Sequence, residues 1–161
     1  MRVAILADIH SNLAALEAVL MDIEQKGGGD EIWCLGDIVG YGPDPHQCLE
    51  FIRHHASLCV AGNHDLAAIG KASTDQFNPV AAEAAQWTST RLSPHERRYL
   101  ENLPLRVERG DFTLVHGSPR DPVWEYVNSA SVAEINLDYF KTRLGQPGIP
   151  RRLLAGSRRC R

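Results

Sequence analysis

The chain has 161 residues, 43% of them hydrophobic, and a formal net charge of −3 at pH 7. That length holds one ordinary domain with a sizeable core, and no apolar run approaches the ~18 residues of a membrane span, so a soluble, cytoplasmic protein is expected. The charge is divided, −9 up to Thr142 and +6 from Arg143 onward, and an acidic body argues against a broad nucleic-acid surface or a membrane while suiting divalent cations.

Residues 3–7, Val-Ala-Ile-Leu-Ala, read as a short strand closing on Asp8-Ile9-His10, with no basic leader before it. Side chains at i and i+2 of a strand share a face, so Asp8 and His10 would grip one metal ion with a carboxylate oxygen and an imidazole nitrogen. Taken alone, a strand-terminal Asp reads equally as a helix cap. Ser11-Asn12 then caps a helix carrying Leu13, Leu16, Leu20 and Ile23 at helical spacing, and Gly27-Gly28-Gly29 stops it.

A second strand over 32–35 ends at Gly36-Asp37. In the loop that follows, Asp44 and Pro45 open a helix with Gln47 completing a capping box. That helix runs to His55, and a third strand over 58–61 ends at Gly62-Asn63-His64-Asp65. Two further helices are expected, an alanine-rich one after Asn78-Pro79 and one opened by the Ser93-Pro94-His95-Glu96 capping box. A hairpin pairs 105–107 with 112–115 and ends at His116, and a last helix starts at Ser131 with Glu134 as its box partner. Residues 144–161 read as a basic, Gly/Pro/Arg-rich tail after a domain over 1–143.

Cys34, Cys48, Cys59 and Cys160 form no Cys-x-x-Cys pair and read as reduced thiols. Trp33, Trp87 and Trp124 read as core or cleft wall, and His46, His54, His55 and His95 as surface residues.

Strand ends in an open α/β sheet converge on the ligand, which would gather Asp8, His10, Asp37, Asn63, His64 and His116. This is the residue set of a two-metal phosphoesterase, in which a carboxylate such as Asp37 bridges two divalent ions and the ions generate a bound hydroxide near neutral pH. Gly36 and Gly62 would let backbone approach the metals. Each residue has a structural alternative: Asp37 as a turn residue, Asn63 as a cap, His116 as a core histidine. No Gly-x-x-x-x-Gly-Lys-Ser/Thr occurs, so a P-loop nucleotidase is excluded.

Asp8-x-His10, Gly36-Asp37, Gly62-Asn63-His64-Asp65 and His116, in this order, resemble the calcineurin-like metallophosphoesterases. The stretches Ala7 to Leu13 and Gly36 to Pro43 resemble their small, single-domain prokaryotic branch. The resemblance implies an α/β fold of two packed mixed β-sheets flanked by helices, with the second sheet incomplete here. It assigns Asp8 and His10 to the first metal, Asp37 as the bridge, and Asn63 and His116 to the second. His64 would protonate the leaving alkoxide or contact the phosphoryl group, and Asp65 would orient its ring. Two divalent ions are implied, Mn²⁺ or alternatively Fe or Zn²⁺, and the substrate would be a phosphoester small molecule or nucleotide.

That family completes its site with a Gly-His-x-His turn, whereas no histidine follows His116 here. Leu144-Gly145-Gln146-Pro147-Gly148-Ile149-Pro150 stands at the expected place, with Gln146 and Gly148 for the histidines. Motif decay, a replaced C-terminus, and a shifted frame or truncation all fit. A lost ligand weakens metal affinity by at least ~10 to 100-fold. The missing strands would leave an edge open for a homo-oligomer. Two functional readings follow: a metal-dependent phosphomonoesterase or phosphodiesterase with impaired activity, and a non-catalytic relic or regulator that binds a phosphorylated ligand.

Overall fold

A computed structural model describes residues 1–139 and 152–156. Strands β1 (Val3–Leu6), β2 (Glu31–Cys34) and β3 (Ala56–Cys59) form one sheet in that order, with both pairings parallel. Strands β4 (Arg106–Arg109), β5 (Phe112–Val115) and β6 (Arg152–Ala155) form the other, β4 antiparallel and β6 parallel to β5. The helices are α1 (Leu13–Gln25), α2 (Pro45–His55), α3 (Asn63–Ala68), α4 (Pro79–Arg91), α5 (Pro94–Glu101) and α6 (Ala130–Tyr139). The expected two sheets flanked by helices are present, and the mixed character lies in the second sheet.

Alternation along the strands builds two cores. Leu6 and Cys34 pack with Leu16, Ile52 and Leu100 beneath the helices, while Trp33, Leu35 and Val60 meet Leu114 between the sheets. The inter-sheet core is what brings the end of β5 to the ends of β1, β2 and β3.

Local signals account for most helix starts. The Asn12 and Asn78 side chains accept the amides of Ala15 and Ala81, and Ser93 with Glu96 forms the expected capping box. Asp44 makes no side-chain cap bond, so Pro45 at the first turn carries that start. For α6 the hydroxyl of Ser129, not Ser131, accepts the Val132 amide.

Two elements depart from the sequence reading. Asn63-His64-Asp65 opens the short helix α3, with Asp65 bonding back to the Gly62 amide. Within the supposed tail, Arg152–Ala155 is β6, because Leu154 packs into the inter-sheet core despite its arginine-rich surroundings. Leu144 to Pro150, where the closing turn was expected, lies outside the described residues. Among the described residues, no helix is long and apolar enough to cross a membrane.

Candidate metal centre

The loops after β1 and β2 are zipped together by backbone hydrogen bonds: Asp8 N to Gly36 O (3.2 Å), His10 N to Asp37 O (2.9 Å) and Ser11 N to Ile38 O (2.9 Å). The zipper holds Asp8, His10, Ser11, Asp37 and Tyr41 at φ between 51° and 55°. Left-handed backbone at non-glycine residues is costly and concentrates where surrounding structure over-determines a functional geometry. Asp8 and His10 therefore sit past the end of β1, and strand alternation is not what aims their side chains.

Two overlapping groups of donor atoms result, His10-Asp37-His64 and Asp8-Asp37-His116, with the atoms of each within 4.8 Å of one another. Asp37 belongs to both. Its Oδ2 lies 3.4 Å from His116 Nε2 and 3.8 Å from His10 Nε2, while its Oδ1 accepts the His64 amide at 2.9 Å. Asp37, Asn63, His64 and His116 are all buried.

The ring orientations suit metal ligation. His116 Nδ1 faces the carbonyl of Leu35 (2.8 Å) and His10 Nδ1 that of Val39 (3.2 Å). A carbonyl only accepts, so each Nδ1 carries a proton and each Nε2 is the ring position turned toward the donor cluster. His116 Nε2 also lies 3.0 Å from Asn63 Oδ1. Donor atoms of His116, Asn63 and Asp37 thus converge, an arrangement that a cation could occupy. The donors are nitrogen and oxygen without thiolate, which fits Mn²⁺, Fe or Zn²⁺.

The electrostatics agree. Burial, and then the neighbouring Asp65 carboxylate, raises the Asp37 pKa well above the ordinary carboxylate value, against the opposing His64 amide. Burial likewise lowers His10, against its Val39 bond, and pushes His64 down to about 3 with help from the His10 and His116 rings. Both shifts favour the neutral imidazole.

Asp65 has a different part from the one expected. Its Oδ1 accepts the amides of Ile38 (2.9 Å) and Val39 (3.1 Å), and its Oδ2 that of Gly62 (3.0 Å). It clamps the loops after β2 and β3 and makes no hydrogen bond to the His64 ring, whose buried Nδ1 has no hydrogen-bond partner among the described residues. A Cβ on Gly40 would stand 2.5 Å from that Nδ1. Aromatic packing orients His64 instead: Phe77 stacks on it with centroids 4.4 Å apart, and Tyr41 and His10 flank it at 4.8 and 4.7 Å.

Gly36 and Gly62 also act differently from expectation. A Cβ on Gly36 would meet Gly62 N at 2.5 Å, and one on Gly62 would overlap the Asp37 carboxylate. These glycines let two loops and one carboxylate meet.

The centre floors a cleft of about 570 Å³ whose walls include Tyr41, Phe77, Trp124 and Tyr126. A larger groove of about 910 Å³ along β1 and α1 is mostly apolar and touches the centre only through Asp8 and His10, so the smaller cleft is the candidate site. Trp124 stands in the cleft wall, one of the two places its sequence context allowed, whereas Phe77 carried no sequence signal beyond being aromatic.

The profile of the calcineurin-like phosphoesterases matches residues 1–157, through β6 and past the boundary expected at 143. The chain belongs to the calcineurin-like phosphoesterase family. A metallophosphoesterase from Sphaerobacter thermophilus superposes with a TM-score of 0.75 at 52% identity, covering 87% of this chain and 56% of that one. An uncharacterized protein of Methanocaldococcus jannaschii is 44% identical over 130 residues, 78% of this chain and 53% of its own length. A symmetrical bis(5'-nucleosyl)-tetraphosphatase of Neisseria meningitidis is 31% identical over 140 residues, 80% of this chain and 47% of that protein. The chain thus spans about half the length of the relatives it matches.

Proposed function

We propose that this calcineurin-like phosphoesterase chain is a metal-dependent phosphoester hydrolase with a two-metal site bridged by Asp37. The observation that carries the reading is the convergence of His116 Nε2 and Asn63 Oδ1 with the Asp37 carboxylate, which also faces His10. Asp8 and His10 would hold one ion and Asn63 and His116 the other. Bound there, divalent ions supply Lewis acidity that activates water and neutralises phosphoryl oxygens. His64, the match to the family's general acid, presents an imidazole N–H to the phosphoryl group or its leaving oxygen. Asp65 supports these residues by bracing the loops.

The register of β6 supports a different place for the family's closing turn than Gly145 to Gly148. The Gly156 amide donates to the His116 carbonyl at 2.9 Å, and a Cβ there would press on Leu35 and Ala7, so this strand end arrives beside the centre. Read from Gly156, the histidine positions of Gly-His-x-His fall on Ser157 and Arg159. A guanidinium has no lone pair to offer a metal and a hydroxyl is a weak donor, so on that register the two positions would lend a metal little.

The tetraphosphatase relative supports a nucleotide phosphoester as substrate. The second reading is a chain that binds a phosphorylated ligand without turnover. Mn²⁺-dependent hydrolysis of a nucleotide polyphosphate decides between them. The hydrolase reading predicts turnover that His64→Ala and Asp37→Asn abolish; metal-dependent binding with no turnover at saturating Mn²⁺ would leave the second.

A further inference from the structure

Beyond the metal ligands, the cleft holds features that phosphoryl chemistry alone does not require. Phe77 lies on the segment between α3 and α4, and Trp124 on the loop between β5 and α6. Their ring centroids stand 5.6 Å apart with planes inclined at 60°, both rings are half-buried, and both line the cleft that contains Asp8, Asp37 and His116. Phe77 in turn stacks on His64. The aromatic surface therefore begins against the proposed proton-bearing ring and continues through Phe77 to Trp124 in the cleft lining.

Amide side chains border the same wall. Gln76 and Asn128 are exposed and line the cleft. Asn78 spends its Oδ1 on the Ala81 amide as the cap of α4, which leaves its amino group as a donor at the cleft rim. Primary amides carry both donors and acceptors, the groups that read the edge of a heterocyclic base, while the faces of Phe and Trp take its plane.

The wall is held in place. Glu125, between Trp124 and Tyr126, accepts hydrogen bonds from the Ser118 hydroxyl and, at 2.7 Å, from the Asn136 amide, and Arg120 stands 3.8 Å from its other oxygen. Asp121 Oδ1 accepts the Trp124 amide at 3.0 Å. A surface pinned at both ends costs little to order when a flat ligand lands on it.

We infer that Phe77 and Trp124, with the amides of Gln76, Asn78 and Asn128, form a base-binding wall that selects phosphoesters whose leaving side carries a nucleoside. The inference rests on the phosphoester reading of the metal centre and adds to it the determinant of substrate choice. Stacking on one aromatic ring commonly contributes about ten-fold or more in affinity.

The test compares two ligands by isothermal titration calorimetry in Mn²⁺: a methylene-bridged, non-hydrolysable ATP analogue, and the same bridged triphosphate without a nucleoside. Wild-type protein should bind the nucleotide at least ten-fold more tightly than the bare triphosphate. Trp124→Leu should remove most of that difference while leaving triphosphate affinity within about two-fold, and Phe77→Leu, whose ring also packs on His64, should likewise remove most of the nucleotide preference. Equal affinity of the two ligands for wild type, or a nucleotide preference that survives both substitutions, overturns the base-binding wall while leaving the phosphoester centre standing. Failure of both ligands to bind in Mn²⁺ overturns the wall and the phosphoester reading together. Trp124 is half-buried, so Trp124→Leu remains informative should Phe77→Leu unfold the chain.

Discussion

His116 Nε2 stands 3.4 Å from Asp37 Oδ2, and the two residues come from different sheets, one following β5 and the other following β2. The candidate centre is thus a joint between the sheets, and whatever binds there also ties them together.

Metal binding should therefore stabilise the whole fold. A ligand that binds only the native state adds about 2.7 kcal/mol at 100 times its dissociation constant. Thermal unfolding followed by circular dichroism should show a Tm raised by Mn²⁺ and restored by EDTA, with a smaller Mn²⁺ response in Asp37→Asn and His116→Ala.

Gly62→Ala displaces Asp37. The backbone at Gly62, φ −100° and ψ 175°, is open to any residue, but the new methyl would occupy the place of the Asp37 carboxylate and press on the Asp37 backbone nitrogen at 2.5 Å. Mn²⁺ affinity by calorimetry should fall about ten-fold or more, the scale of losing support around a ligand. Far-ultraviolet circular dichroism should be unchanged.

Asp65→Ala should act on stability instead. It strands three buried amides, those of Ile38, Val39 and Gly62, each worth about 1–3 kcal/mol when left unpartnered. Urea denaturation should report a loss of about 4 kcal/mol. Asp65→Asn, which keeps one acceptor oxygen, should lose less.

Glu31 supplies a pH dependence away from the centre. Its carboxylate accepts the Trp33 indole N–H at 2.8 Å and the Ser57 hydroxyl at 2.9 Å, and pairs with Arg109 at 3.2 Å. The indole bond first, then the hydroxyl, holds its pKa below the usual carboxylate value. A depressed carboxylate stabilises above its unfolded pKa and loses that contribution as pH falls through the folded one. Glu31→Gln should be less stable than wild type at pH 7 by urea denaturation, and the gap should close on acidification through the carboxylate range.

Much of this was legible in the sequence because short-range rules govern it. Asn12, Asn78 and Ser93 cap their helices as their side chains dictate, and the polar clusters after β1, β2, β3 and β5 meet because strand ends meet in this architecture. What escaped depends on long-range packing. Asp65 follows His64 in sequence yet serves amides 26 and 27 residues away. Phe77 reaches His64 only because the segment before α4 folds over the cleft. β6 was hidden because four residues amid arginines reveal a strand only once Leu154 is seen to fill the inter-sheet core.

The bridging role of Asp37 is tested most directly by electron paramagnetic resonance of protein titrated with Mn²⁺. Two equivalents should give the exchange-coupled spectrum of a carboxylate-bridged pair in wild type, and Asp37→Asn should give only the signal of isolated ions. An uncoupled spectrum in wild type at saturating Mn²⁺, or coupling that persists in Asp37→Asn, would contradict the two-metal account.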